Sequence, residues 1–267
     1  MSSSPPAFFL EPGRSPAEPR LLEEEARHAT QVLRLGAGAL LLGLDGRGGR
    51  QPLRVRALER RELALEPAGA PTHEPAPGEE GAPLPWFEVA VAWPRRNRVE
   101  DMLNRLVQLG AAAIRPLVAR QRGPEEVPAR APERLLRVAR EACKQAGRAW
   151  LPELEPALTP AELAAHHVGA ALAVLEPDAA LSFDAWLRSL RPGPLGLGTR
   201  THPMVLVIGP EGGWTEEERE ALRARGASAT WLGPHVLRVE TAAEAAMAIA
   251  GVIHGRTHAP RIDVEPA

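Results

Sequence analysis

An α/β fold in two parts, a small β module in front of a larger and mostly parallel sheet, is predicted by three observations. Apolar strand-like runs alternate with helical patterns through the back of the chain. Short alternating runs around a Gly-rich turn fill the front. Between them lies PAGAPTHEPAPGEEGAPLP, residues 67–85, which mixes Pro, Gly, Ala and acids without periodicity and has the composition of a linker. The expected boundaries are therefore residues 1–70, a connection at 71–84, and residues 85–267.

In the front part, ALLLGLD (39–45), the turn GRGG, a run from Arg50 to Leu58 and ELALE (62–66) read as a β-hairpin followed by a further strand. Glu23 to Leu33 is expected as one short helix with Ala26, Ala29, Val32 and Leu33 on one face. The result is a small β barrel or sandwich with one helix, whose marginal core should lean on its neighbour.

In the back part, WFEVAVAW (86–93), AIRPLVA (113–119), ALAVL (171–175), MVLVI (204–208) and ATWL (229–232) read as buried strands. Helical patterns occupy 98–109, 133–147, 183–190, 216–225 and 242–254. Near-continuous apolar strands alternating with helices predict a parallel sheet covered on both faces. Ligands of such sheets sit beyond the carboxyl ends of the strands, so the loops after 175, 208 and 232 are the places to look.

Two of those loops are distinctive. IGPEGGWTEEE (208–218) follows a strand with a Gly-rich turn, and Thr215 with Glu218 forms a capping box for the next helix. Its glycines let a ligand approach the backbone, but the Lys-Ser/Thr pair of a phosphate-binding P-loop is missing. LGPHVLRVETAAEAAMAIAG (232–251) follows the last strand, and Thr241 with Glu244 is expected to form a second capping box. The helix after it is nearly all apolar and should be buried or packed on another subunit. Arg238 and Glu240 are placed just before that helix, while His235 is expected as an exposed loop residue.

Composition narrows the chemistry. Cys143 is the single cysteine, which removes intrachain disulfides and Cys-based zinc sites. His166 and His167 lack a third ligand at metal spacing, so no metal is expected. The start, MSSSPPAFFLEPG, has neither a basic region nor an apolar run of signal-peptide length, and nothing approaches a membrane span. A cytoplasmic protein is expected. The formal net charge of −2 hides a gradient. Residues 85–150 carry 13 Lys+Arg against 7 Asp+Glu, and residues 151–267 carry 9 against 15. The local positive excess suits a nucleic-acid footprint. Lys144 is the only lysine, a bias of composition rather than of function.

Together these segments resemble the SPOUT superfamily of methyltransferases and, within it, the RsmE family. IGPEGG (208–213) and LGPHVLRVETA (232–242) resemble the family's two C-terminal cofactor loops. EACKQAGRAWLPEL (141–154), RNRVEDMLNRLVQLGAAAIRPL (96–117) and HATQVLRLGAGALLLGLDG (28–46) resemble its further segments, the last in its PUA-like domain. The sequence departs from the family at Arg95 and Arg105, usually Lys, at Gln108, usually Glu, at Ala146, usually Ser or Cys, and at Ala7, usually basic. Arg105 and Gln108 together replace a Lys/Glu pair.

The resemblance implies a C-terminal SPOUT-type parallel sheet with a trefoil knot, a PUA-like β-barrel that binds RNA, and a homodimer. It implies methylation of N3 of a uridine in 16S ribosomal RNA of the small ribosomal subunit, with S-adenosylmethionine as cofactor. Leu175, Glu176, Ile208, Gly209, Gly212 and Gly213 from the first loops, with Leu232, Gly233, Leu237, Val239 and Thr241 from the last, would hold the cofactor. Arg238 would stabilise negative charge on the uracil, and Glu240 would orient Arg238 or take the proton. Arg34, Arg95, Arg96, Arg98, Arg122 and Arg148 would contact phosphates, which position the substrate without specifying the base. The ribose 2′-OH branch of the superfamily is disfavoured because its Asn-containing segment is replaced by VETA. A non-catalytic RNA-binding protein of ribosome assembly is the remaining alternative. Uracil C5 methylation would need a cysteine nucleophile, and Cys143 lies in a predicted helix away from the loops.

Overall fold

The computed structural model describes residues 5–13, 18–59, 62–94, 96–120, 133–193 and 195–256. Two compact units emerge. One comprises the described residues of Met1–Ala76 together with Cys143–Leu151; the other comprises those of Pro77–Ala142 and Pro152–His258.

The first unit holds a sheet of β1 (Ala7–Phe9), β2 (Leu40–Leu44), β3 (Gly49–Glu59) and β4 (Glu62–Pro67) in that order, with β5 (Thr72–His73) on the start of β3. The β2–β3 hairpin forms at the Gly-rich turn, where Asp45 Oδ1 accepts from Arg47 N at 2.7 Å and Gly49 N at 2.8 Å. Gly48 has φ +96° there, and a Cβ on it would come within 2.4 Å of the Glu74 carbonyl oxygen. Phe8, Leu41, Leu53, Val55 and Leu63 form the core.

The expected helix splits. An α-helix, α1 (Glu23–Arg27), gives way to a π turn over His28–Val32, closed by Leu33 N donating to His28 O at 3.1 Å. The extra residue in that turn rotates Val32 and Leu33 off the helix face. Ala29 is therefore buried, whereas Val32 and Leu33 are 65% and 44% exposed, contrary to the 3.6-residue pattern. The segment between the presumed domains is also structured: Thr72–His73 pairs with β3. Cys143–Leu151 folds with this first unit, where Trp150 Nε1 donates to Glu74 O at 2.8 Å and Lys144 Nζ reaches Glu25 at 2.9 Å.

The second unit holds β6 (Phe87–Val91), β7 (Ala113–Pro116), β8 (Glu153–Leu154), β9 (Ala171–Leu175), β10 (Leu181–Ser182), β11 (Met204–Ile208) and β12 (Ser228–Trp231). They form one all-parallel sheet in the order β10-β12-β9-β11-β6-β7-β8. The two strands that periodicity missed, β8 and β10, have two residues each, too few to show an alternation. Central β11 is buried at every position because helices cover both faces. On one face, α4 (Pro160–His166) and α6 (Glu216–Arg223) pack Leu163, Ala164 and Leu222 on Leu172, Val174, Val205 and Val207. On the other lie α2 (Arg96–Gln108), α5 (Phe183–Ser189) and α7 (Val239–His254), with α7 resting on β11 and β6. The remaining helix, α3, spans Glu133–Ala146.

The sheet carries one buried ionic group. Arg115 on β7 and Glu88 on β6 are each 3% exposed. The Arg115 guanidinium bonds Glu88 Oε1, donates to Pro156 O at 3.0 Å and lies 3.2 Å from Glu155. His167 at the end of α4 sits 3.2 Å from the second Glu88 oxygen, so this histidine serves the sheet. Burial pushes the Glu88 pKa up, but His167 and Arg115 outweigh it and hold the carboxyl below its ordinary value. A depressed carboxylate stabilises the fold above its ordinary pKa and stops doing so as pH falls through the folded value. Glu88→Gln should therefore lower unfolding stability at neutral pH by about 1–3 kcal/mol, since it removes one of the two carboxylate charges that Arg115 faces and leaves it Glu155. Denaturant titrations should also show that the variant's deficit shrinks under acid; a constant deficit from neutral pH down to strong acid would remove Glu88 from the linkage.

Candidate functional site

The site follows from strand register. Ile208 ends β11 opposite Leu175 of β9, and Thr230 of β12 is also opposite Leu175, so three loops leave the sheet at one level. They enclose a cavity of about 420 Å³. From the loop after β9 it is lined by Leu175, Glu176, Pro177 and Asp178. From the loop after β11 come Ile208, Gly209, Pro210, Glu211, Gly213 and Trp214. The last loop and the start of α7 supply Leu232, Gly233, His235, Val236 and Leu237, then Val239 and Ala242.

The Gly-rich loop is held from both ends. Thr215 caps α6 through the capping box with Glu218, as its spacing predicts, and Glu218 also accepts from Arg120 N at 2.8 Å. Inside the loop, Trp214 is 4% exposed, and its indole N–H has no hydrogen-bond partner among the described residues. A Cβ on Gly209 would come within 2.7 Å of that ring, so only glycine lets the indole lie against the strand end. Arg219 on α6 reaches back to Glu176 at 2.7 Å and joins two of the three loops.

At the third loop the structure departs from expectation. The Thr241–Glu244 capping box does not form, because α7 begins at Val239 with Arg238 as its N-cap residue. Buried Val239 and the paired Glu240 anchor the first turn, and these tertiary contacts override the local signal. Thr241 is exposed within the helix, and Glu244 instead meets Arg105 at 3.0 Å. Arg105 thus has a partner on α7 in place of the replaced Lys/Glu pair. Thr241 and Gly212 do not line the cavity; the other expected cofactor residues do.

Glu240 lies in the first turn of α7 and takes its hydrogen bond from Arg98 Nη1 at 2.7 Å, not from Arg238. Burial pushes its pKa up, but the Arg98 hydrogen bond, with the charges of Arg98 and Arg238, holds the carboxyl below its ordinary value. Arg238 is exposed at the helix start.

Residues 81–251 match the family of RNA methyltransferase domains. The ribosomal RNA small subunit methyltransferase E of Mycobacterium bovis is 30% identical over 260 residues, covering 91% of this chain and 89% of that protein. The chain belongs to the RsmE family. The namesake from Synechocystis is 29% identical over 228 residues, 85% of this chain and 71% of that one. The RsmE crystal structure from Neisseria gonorrhoeae, bound to S-adenosylmethionine, superposes with a TM-score of 0.75 at 24% identity, covering 94% of this chain and 99% of that one.

Within this RsmE-family fold the expected phosphate contacts fare unevenly. Arg95 and Arg122 lie outside the described residues, as does the side chain of Arg96, the first residue of α2. Arg34 is exposed in a left-handed conformation at φ +52°. Arg98 is taken up by carboxylates, 2.7 Å from Glu240 and 3.5 Å from Glu211. Arg148 is half-buried in the first unit, where desolvation lowers its pKa against the pull of Cys143 and Glu74. Cys143 is buried in α3, donates to Trp150 O at 3.3 Å and has its pKa pushed up to about 11 by burial. It is no thiolate nucleophile.

Sequence reasoning missed Trp214, Glu211, Asp178 and Arg219. Trp214 directly follows the glycines and was legible as part of their motif; Arg219 is visible only once α6 lies beside the loop after β9. Gly209→Val should drive the Trp214 ring out of place. Calorimetric titration with S-adenosylmethionine, the molecule held by the gonococcal relative, should then show affinity weakened at least about tenfold with the circular dichroism spectrum retained. Wild-type affinity in a folded variant would move the ligand out of this cavity.

Proposed function

We propose that this protein methylates N3 of a specific uridine in 16S ribosomal RNA of the small ribosomal subunit, using S-adenosylmethionine. The observation that carries the reading is the cavity built by three loops at the carboxyl ends of β9, β11 and β12, on a chain of the RsmE family. Its volume of about 420 Å³ suits a nucleoside-sized ligand. Leu175, Ile208, Leu232, Leu237 and Val239 offer apolar surface to adenine and ribose. The indole N–H of Trp214 offers a donor among them. Asp178 brings a carboxylate to the lining beside Glu176, Glu211 and Glu216, whose charges Arg219 and Arg98 partly balance, and it suits a ligand bearing ammonium and sulfonium charges.

When bound, S-adenosylmethionine supplies a sulfonium-activated methyl group, so neither a metal nor a covalent protein intermediate is required. The chain's residues align the uracil and stabilise charge. Arg238 has no ion pair among the described residues and stands at the start of a long helix whose dipole also favours anions. Its guanidinium is the group for the carbonyl–nitrogen–carbonyl edge of a uracil that has lost its N3 proton. Glu240, bound by Arg98 and depressed in pKa, is a weak base and holds the start of α7 in place.

The same reading assigns the first unit as a PUA-like RNA-binding barrel, with Arg34 and the Arg95–Arg96 region among the phosphate contacts. It also assigns the C-terminal segment as a trefoil knot and the functional state as a cytoplasmic homodimer. In support of the dimer, α7 leaves the apolar side chains of Ala248 and Val252 exposed, Val252 at 84%.

Arg238→Ala should reduce turnover by ~10²–10³ with S-adenosylmethionine affinity nearly unchanged, because the stabilised charge develops only in the transition state. Arg238→Lys should recover part of the loss. Single-turnover transfer of labelled methyl to small-subunit RNA measures both. Intact turnover with weakened RNA binding would make Arg238 a phosphate clamp and leave the chemistry to another group.

A further inference from the structure

Arg98 has an environment unlike that of a nucleic-acid contact. It projects from the first turns of α2, and its guanidinium lies between Glu240 and the cavity-lining Glu211. Nη1 donates to Glu240 Oε1 at 2.7 Å, and Nη2 lies 3.5 Å from Glu211 Oε1. Glu211 belongs to the Gly-rich loop after β11, and Glu240 to the first turn of α7, between the cavity-lining Val239 and Ala242. The Glu240 side chain is 12% exposed, and its Oε2 is buried with no hydrogen-bond partner among the described residues. Arg98 is therefore the side chain from which this carboxylate takes its hydrogen bond, through Oε1. Without it, the carboxylate would have to take up a proton or turn out to water. Either change would move the first turn of α7 and, with it, Arg238 at the N-cap. A guanidinium whose donors already face two carboxylates also has little net charge to offer a phosphate.

We propose that Arg98 is a positioning residue of the methyl-transfer site, a brace that ties Glu211 to Glu240 and holds the two cavity walls, and Arg238, in register. This role rests on the functional reading above, and it replaces the phosphate contact that the sequence suggests for Arg98.

The test measures S-adenosylmethionine affinity, turnover and the salt dependence of RNA binding in the full-length protein. Wild-type binding of S-adenosylmethionine is the control for the functional reading; its absence would refute that reading and not the brace specifically. Arg98→Ala should weaken S-adenosylmethionine binding about tenfold and lower turnover further, while RNA affinity and its salt slope stay at wild-type values. Arg98→Lys should fall between, since a point charge keeps Glu240 paired but cannot fork to Glu211. Glu211→Gln loosens only the outer arm and should give a small loss of S-adenosylmethionine affinity with RNA binding unchanged. Arg134→Gln removes one charge from a surface pair with Glu100 and should leave all three quantities alone. Should Arg98→Ala fail to fold, the Lys and Gln variants decide: losses confined to cofactor affinity and turnover support the brace. Unchanged cofactor affinity and turnover in the folded variants would overturn it, and a salt slope of RNA binding reduced by about one for Arg98→Ala, with Arg98→Lys keeping the wild-type slope, would restore Arg98 as a phosphate contact.

Discussion

Everything at the candidate site depends on one constraint, the parallel register that ends β9, β11 and β12 at the same level. Ile208 stands opposite Leu175, and Leu175 opposite Thr230, so the polypeptide leaves the sheet three times along one edge. Parallel strands need crossovers, and the crossovers lay helices on both faces. That leaves the strand ends as the open margin of the sheet, the place where such folds bind ligands. The cavity is thus a consequence of topology, and its chemistry is set by which residues the three loops carry.

Those loops would not hold a cavity by backbone alone. Two arginines from neighbouring helices tie them down. Arg219 links the loop after β9 to α6, and Arg98 links the loop after β11 to the start of α7. Arg105 adds a further tie between α2 and α7 through Glu244. The positive charge that looks from the sequence like a nucleic-acid footprint is in good part consumed by such pairs. Net charge over a segment reports on a partner only after the arginines that serve the fold are subtracted, and subtraction needs the three-dimensional neighbours.

The main strands and helices of the second unit were legible because buried parallel strands are near-continuous apolar runs, and because Thr215 with Glu218 has the spacing of a capping box. The cavity-forming loops were legible for the same reason: they follow those runs. Most of what escaped was set by contacts distant in sequence. Helix α7 begins at Val239, not at the local Thr241 signal, because Arg98, more than a hundred residues earlier, holds Glu240. The π turn at His28–Val32 broke the helical period that placed Val32 and Leu33 inward. Cys143–Leu151 reads from the sequence as the end of one helix of the sheet, yet it folds with the first unit through Glu25 and Glu74.

We propose that this cavity directs a methyl group to a uracil nitrogen. It is tested most directly by incubating the purified protein with small-subunit RNA, free and in assembled subunits, and S-adenosylmethionine labelled in the methyl carbon, followed by mass-spectrometric analysis of the nucleosides. Labelled 3-methyluridine, close to one per RNA molecule, is expected from at least one of the two substrates. Label on ribose or on another base, or no transfer to either substrate by a protein that binds S-adenosylmethionine, would contradict it.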